Sequence, residues 1–146
     1  MTFDKENSAG YLANHMARLF AKGLQERIAP LGIVTGQFPI LLELWEEDGV
    51  TQRELLEKLD IEQATVANTL TRMERDGLIK RAKHPSDARA QQIWLTPAGS
   101  NVKESAYAAA RAQNERALCG LTSTEREAFI VLMTKVVTAM RPDANS

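Results

Sequence analysis

A mainly α-helical fold with one small β-hairpin is predicted by three observations. Apolar residues recur at steps of three and four along most of the 146-residue chain, the period of a buried helix face. Aromatic residues make up only 5%, while alanine and leucine are abundant and interleaved with charges, a composition of helices packed on helices. From Leu78 to Leu95 the period turns from helical to extended, in two segments around a polar turn. The length and the 44% hydrophobic content fit one domain with one core, spanning 1–146.

The first helix is expected from the stripe Leu12, Met16, Leu19, Phe20, Leu24, Ile28 and Leu31, ended by Pro30 and Gly32. Thr35 is the expected N-cap of a second helix, with Phe38, Leu41, Leu42, Leu44 and Trp45 as its apolar face. Pro39 lies in its first turn, where a missing N–H costs little, and Asp48-Gly49 closes it. Thr51-Gln52-Arg53-Glu54 has capping-box spacing, in which a hydroxyl and a Glu three residues on satisfy two helix-start amides reciprocally. The short helix it opens buries Leu55, Leu56 and Leu59 and stops near Asp60-Ile61. Another runs from about Glu62 to Asp76, with Val66, Ala67, Leu70 and Met73 inside and Gly77 as its left-handed stop. Two short helices joined by a tight turn form a helix-turn-helix.

The extended segments Leu78–Lys83 and Gln91–Leu95 flank the turn His84-Pro85-Ser86-Asp87-Ala88-Arg89, which makes a hairpin with a basic, proline-containing tip. Thr96-Pro97 supplies the cap and first-turn proline of a helix expected to run unbroken to about Leu118, with Gly120 as its stop. A second capping box, Thr122 to Glu125, opens a last helix that buries Phe129, Leu132, Met133, Val136, Val137 and Met140. Helix-turn-helix followed directly by a basic hairpin is the winged helix-turn-helix arrangement.

Charge placement carries more information than its total. A net charge of −1 argues against nucleic-acid binding as an average, yet residues 31–70 sum to −6 and residues 71–90 to +3. The polar face of the helix from Glu62 offers Thr65, Asn68, Thr69 and Arg72, with Gln63 near its start and Arg75 near its end. Amides suit adenine edges, Arg suits guanine or phosphate, and hydroxyls serve either. A plain solvated helix more often carries Glu and Lys there. The helix fits the major groove and the hairpin tip reaches the neighbouring minor groove.

With these motifs in order, the sequence resembles the MarR (multiple antibiotic resistance regulator) family of winged-helix transcription regulators. The resemblance spans Thr35 with Gln37, Thr51-Gln52 through Leu59, Met73-Glu74-Arg75-Asp76-Gly77-Leu78-Ile79, and Asp87-Ala88-Arg89 leading to Leu95-Thr96-Pro97-Ala98-Gly99. It implies that Arg89 enters the minor groove and that Asp87 fixes the wing by pairing with an Arg. It also implies that Thr51, Gln52 and Arg53 lie over phosphates. Lys80, Arg81 and Lys83 read equally as backbone contacts or as solvated strand residues, and Lys83 is taken as a contact. The resemblance further implies a homodimer built from helices in 8–34 and 97–146, with 35–96 as the DNA-binding lobe. Surplus apolar residues on the terminal helices, and alanines at 106, 108, 109, 110 and 112, favour such pairing independently. Two-fold symmetry predicts a pseudo-palindromic operator on double-stranded DNA, and a repressor is the expected role.

Members of this family commonly answer to small aromatic acids or phenolic effectors, or to oxidants. Tyr11, His15, Arg18 and Trp45 are the candidate effector contacts, with His15 and Arg18 offering partners for a carboxylate. Oxidant-sensing members resemble one another in a reactive N-terminal Cys, whereas Cys119 is the single cysteine of this chain and reads as a packed or surface thiol. His15 and His84 are too far apart in sequence to suggest a metal cluster. No catalytic motif, Gly-rich phosphate loop or cofactor signature is present, so neither an enzyme nor a cofactor is expected. Met1–Asn7 lacks a secretory pattern and no apolar run is long enough to span a bilayer, so a cytoplasmic, non-membrane protein is expected. The alternative is a winged helix serving as a protein-interaction scaffold without specific DNA binding.

Overall fold

The computed structural model describes residues 2–142. A 3-10 turn, Lys5–Asn7, precedes α1 (Ala9–Ile28), and two more 3-10 turns, Ala29–Leu31 and Thr35–Gln37, lead to α2 (Phe38–Glu46). Then come β1 (Val50–Thr51), α3 (Gln52–Leu59), α4 (Gln63–Arg75), β2 (Ile79–Lys83), β3 (Gln91–Leu95), α5 (Pro97–Asn101), α6 (Lys103–Ala117) and α7 (Ser123–Met140). The chain divides between Gln113 and Asn114 into two compact units.

The first unit holds the core. Ile28, Ile33, Ile40, Leu41, Leu44, Leu55, Val66, Leu70, Met73, Ile79 and Ile93 are buried in it, contributed by α1, α2, α3, α4 and the sheet. α2, α3 and α4 present their predicted apolar stripes to one centre, with Leu42, Leu56, Leu59 and Ala67 half-buried at its margin, whereas the α1 stripe buries only Ile28, leaves Met16, Phe20 and Leu24 half-buried and exposes Leu12 and Leu19. Gly32 takes the left-handed φ of 79° beyond Pro30, as a residue without Cβ can at little cost. Thr35 does not cap α2. It opens the 3-10 turn before that helix, and its N–H donates to Gln25 Oε1 at 2.9 Å. The first turn is therefore held by glutamine side chains, with Pro39 in the opening positions of α2.

Thr51 and Glu54 form the expected capping box: Thr51 Oγ1 accepts the Glu54 N–H at 3.1 Å and Glu54 Oε1 accepts the Thr51 N–H at 3.4 Å. Asp60 ends α3 with φ 53°, a region that Asp tolerates better than most side chains. Beyond α4, Leu78 N–H donates to Met73 O at 2.9 Å and Gly77 N–H to Glu74 O at 3.1 Å, the paired bonds of a Schellman stop around the left-handed Gly77.

The hairpin gains a strand that sequence periodicity does not reveal. β3 lies between β1 and β2, antiparallel to both, with Val50 opposite Ile93 and Arg81 opposite Ile93 on its other side. Two residues are too few to display an alternation. Asp48 Oδ1 fastens this edge by accepting the Leu95 N–H at 2.8 Å, while Gly49, with φ 76°, lies under the Trp94 ring.

The helix predicted to run unbroken from Pro97 is interrupted at Val102. Its first turn is tied to the lobe, since Thr96 Oγ1 donates to Gly77 O at 2.6 Å and Trp45 Nε1 donates to Gly99 O at 2.9 Å. Its continuation is tied to α1, where Arg27 Nε donates to Gln113 Oε1 at 3.2 Å and Gly23 leaves room for the Gln113 amide.

In the second unit, Thr122 and Glu125 form the expected capping box, at 3.1 and 2.9 Å. Arg126 braces the turn by donating to Glu115 Oε2 at 3.0 Å and to Leu118 O at 3.1 Å. Gly120 is not the predicted stop: α6 ends at Ala117 and Gly120 lacks the left-handed φ. The last helix also departs from expectation. Leu132, Val136, Val137 and Met140 are exposed and Phe129 and Met133 only half-buried, since among the described residues this unit holds only the end of α6 and α7. Among the described residues no single helix is long and apolar enough to cross a membrane.

Candidate nucleic-acid interface

The face of α4 available to a ligand is fixed by what its other face buries. Val66, Leu70 and Met73 are fully buried, so Gln63, Thr65, Asn68, Arg72 and Arg75 are exposed and Thr69 is half-buried. Asn68 and Arg72 have no side-chain hydrogen-bond or ion-pair partner among the described residues, leaving an amide and a guanidinium with full donor capacity. Thr69 Oγ1 donates to Thr65 O at 2.8 Å, and Arg75 Nε lies 3.4 Å from Asp76 Oδ1.

The position of α4 is supported at its C-terminal end by a part-buried polar contact. Gln37, 2% exposed, accepts the Val34 N–H at 3.2 Å and donates through Nε2 to Asp76 Oδ2 at 3.1 Å. Leaving the buried Gln37 amide unpartnered costs about 1–3 kcal/mol, so the bond favours one spacing between the turn before α2 and the end of α4. Gln37 was visible in sequence as part of a motif, but its partner, 39 residues away, was not.

At the start of α3, the Thr51 hydroxyl is already engaged in the capping box, which limits what it can offer a phosphate. Gln52 is half-buried, and Arg53 is exposed with Nε 3.3 Å from Glu57 Oε1. An exposed pair of this kind is worth at most about 1 kcal/mol and yields readily to a stronger anion. Pairing of β1 with β3 ties this helix start to the wing.

The wing tip is ordered by its own polar groups. Asp87 Oδ1 accepts the Arg89 N–H at 3.0 Å, the Ala90 N–H donates to Asp87 O at 3.0 Å, and His84 Nδ1 accepts the Ser86 N–H at 3.1 Å. The Arg with which Asp87 pairs is Arg89 itself, at 3.9 Å. That contact leaves the Arg89 side chain 96% exposed. The carboxylate thus shapes the loop and presents the guanidinium. Lys80 and Lys83 are also exposed, whereas Arg81 turns toward α4 and donates to Glu74 Oε1 at 3.2 Å.

The four candidate effector contacts separate into two environments. Tyr11 and His15 are edge-to-face neighbours one helical turn apart on exposed α1, at 6.2 Å between rings, and Arg18 is exposed on the same helix. Trp45 departs from expectation as a contact residue. It is 7% exposed, packed edge-on between Phe38 and Tyr107, with its N–H engaged by Gly99 O. The apolar bulk of α2 draws it into the core. Among the described residues no cluster of metal-ligating side chains occurs, and Cys119 is exposed, 3.9 Å from Arg116 Nη1.

Comparison with known proteins agrees with this geometry. The family model described as MarR family matches residues 35–90, the helix-turn-helix and most of the wing. The transcriptional regulator HosA of Escherichia coli O111:H- is 31% identical over 103 residues, covering 70% of this chain and 76% of that protein. A probable transcriptional regulator from Pseudomonas aeruginosa superposes with a TM-score of 0.84 at 27% identity, over 91% of this chain and 99% of that one. Overoxidized AbfR, solved bound to DNA, is similar at a TM-score of 0.73 and 27% identity, over 93% and 94% of the two chains. The chain belongs to the MarR family of DNA-binding winged-helix transcriptional regulators, a family of regulators and not of enzymes.

Proposed function

We propose that this protein binds a pseudo-palindromic operator as a homodimer and represses transcription until a small aromatic acid or phenolic effector releases it. Residues 35–96 carry DNA recognition, and the helices in 8–34 and 97–146 carry dimerisation. The observation that carries the reading is the combination of an unpartnered Asn68 and Arg72 on exposed α4 with a nearly fully exposed Arg89 on an ordered wing tip. In this reading α4 enters the major groove, with Asn68 and Arg72 reading base edges and Gln63, Thr65, Thr69 and Arg75 completing the contact. Arg89 enters the minor groove, and Gln52, Arg53, Lys83 and the amides at the start of α3 meet phosphates. The AbfR structure, solved bound to DNA, supports DNA binding by this fold. Tyr11, His15 and Arg18, aligned on α1, offer an aromatic face and a cation to an anionic aromatic effector.

The test is selection from random duplexes followed by anisotropy titration at several salt concentrations. The expected result is an enriched inverted repeat whose affinity falls steeply with salt. Asn68→Ala and Arg72→Ala should relax base preference at individual positions by about 1–3 kcal/mol. Absence of any enriched motif would remove the operator reading and leave a scaffold.

A further inference from the structure

Of the basic residues on β2, Arg81 differs in where its charge goes. Lys80 and Lys83 are exposed, but the Arg81 side chain is only 20% exposed. Its Nη2 donates to Glu74 Oε1 at 3.2 Å and to Thr71 Oγ1 at 3.4 Å. Thr71 in turn donates to Ala67 O at 3.1 Å. Positions 67, 71 and 74 follow one another at steps of four and three, which puts them on a single face of α4. Ile79, two residues before Arg81 and therefore on the same face of the strand, is buried in the core. The strand thus turns its Ile79 and Arg81 face inward, and the guanidinium lands on the exposed flank of the recognition helix.

We infer that Arg81 is a positioning residue that clips the wing to α4, and that it does not act as a phosphate contact. A two-stranded ribbon extending from a sheet is marginally stable by itself and twists easily. The β1 pairing holds its root from the β3 side, whereas Arg81 holds β2 from the helix side. With both anchors in place, the spacing between Arg89 at the tip and Asn68 and Arg72 on α4 is set before DNA arrives, and less ordering remains to be done on binding. The pair is partly exposed and contributes little to overall stability. Its effect is on geometry.

This inference rests on the DNA-binding reading, and two substitutions separate it from a phosphate contact by sign. Glu74→Gln removes an anion from the recognition helix. If Arg81 met a phosphate, that change would free it and tighten binding. Arg81→Lys keeps the charge but loses the planar fork that spans two acceptors, so a phosphate contact would survive it. With Arg81 as the clip, both variants weaken operator binding, by about three- to tenfold, with the salt slope unchanged, whereas loss of one phosphate contact lowers that slope by about one. A second measurement needs no DNA: amide hydrogen exchange of residues 79–83 and 91–95 in the free protein. The clip predicts faster exchange there in both variants, with the thermal midpoint close to the parent's. Wing exchange equal to the parent's, or tighter DNA binding by Glu74→Gln, overturns it. A parent that binds no DNA, with the exchange result as expected, would count against the regulator reading while upholding the clip.

Discussion

Arg89 and Thr51 show how a side chain's neighbours decide what it has left to give. Both lie in motifs that point toward DNA. The Thr51 hydroxyl donates to Glu54 and accepts from its amide, so its first role is to start a helix. Asp87 engages the backbone amide of Arg89 more closely than its guanidinium, 3.0 Å against 3.9 Å, so the charge stays available. Arg89→Ala should therefore weaken operator binding and lower the salt slope by about one, while the urea midpoint stays within error of the parent's. Equal affinity at one fixed salt concentration would exclude the minor-groove role. The polar face of α4 was legible in sequence because Val66, Leu70 and Met73 fix the opposite face by period alone. Trp45 was legible both on the apolar face of α2, where it lies, and as a candidate effector contact. An aromatic residue with a polar tip reads equally as ligand contact or as core until the acceptor of its N–H, here Gly99 O, is known.

At the scale of elements, glycines mark where backbone meets backbone. A Cβ on Gly99 would lie 2.2 Å from the Leu78 carbonyl oxygen, at the point where α5 docks beside the stop of α4. Backbone cannot step aside as a flexible side chain does. Gly99→Ala should destabilise the lobe by about 1–3 kcal/mol through overpacking, read as a lower urea midpoint. Gly120→Ala is the matched control: nothing lies within 4 Å of the added carbon and its φ is not left-handed, so a change within about 0.5 kcal/mol is expected. Equal effects of the two would refute the docking argument. The break at Val102 follows Gly99-Ser100-Asn101, three residues of low helix propensity. The alanine-rich run from Ala106 favours helix beyond it, and the two parts are tied separately, one to the lobe and the other to α1.

At the scale of the whole molecule, the exposed apolar residues set the next level of organisation. Leu132, Val136, Val137 and Met140 on α7 are each more than half exposed, as is Leu19 on α1, and Leu12 is half exposed. A contiguous apolar helix face in water is a binding surface more often than a resting one, and covering about 800 Å² on each partner suffices for a stable interface. If this face forms the proposed homodimer, the double variant Leu132→Asp with Val136→Asp should sediment as a monomer and lose operator affinity by more than tenfold, since each protomer would then bind one half-site alone. A dimer of parental stability would move the interface elsewhere.

The sequence by itself determined the helix order, the capping boxes at Thr51 and Thr122, the stop at Gly77, the hairpin and the polar face of α4. Each rests on local spacing, and local hydrogen bonds and side-chain period act within a few residues. Tertiary structure alone decided the third strand, the Gln37–Asp76 contact, the acceptor of the Trp45 N–H, the turn of Arg81 toward Glu74 and the exposure of α7. Those depend on which groups the folded backbone brings together, and no window of residues carries that information.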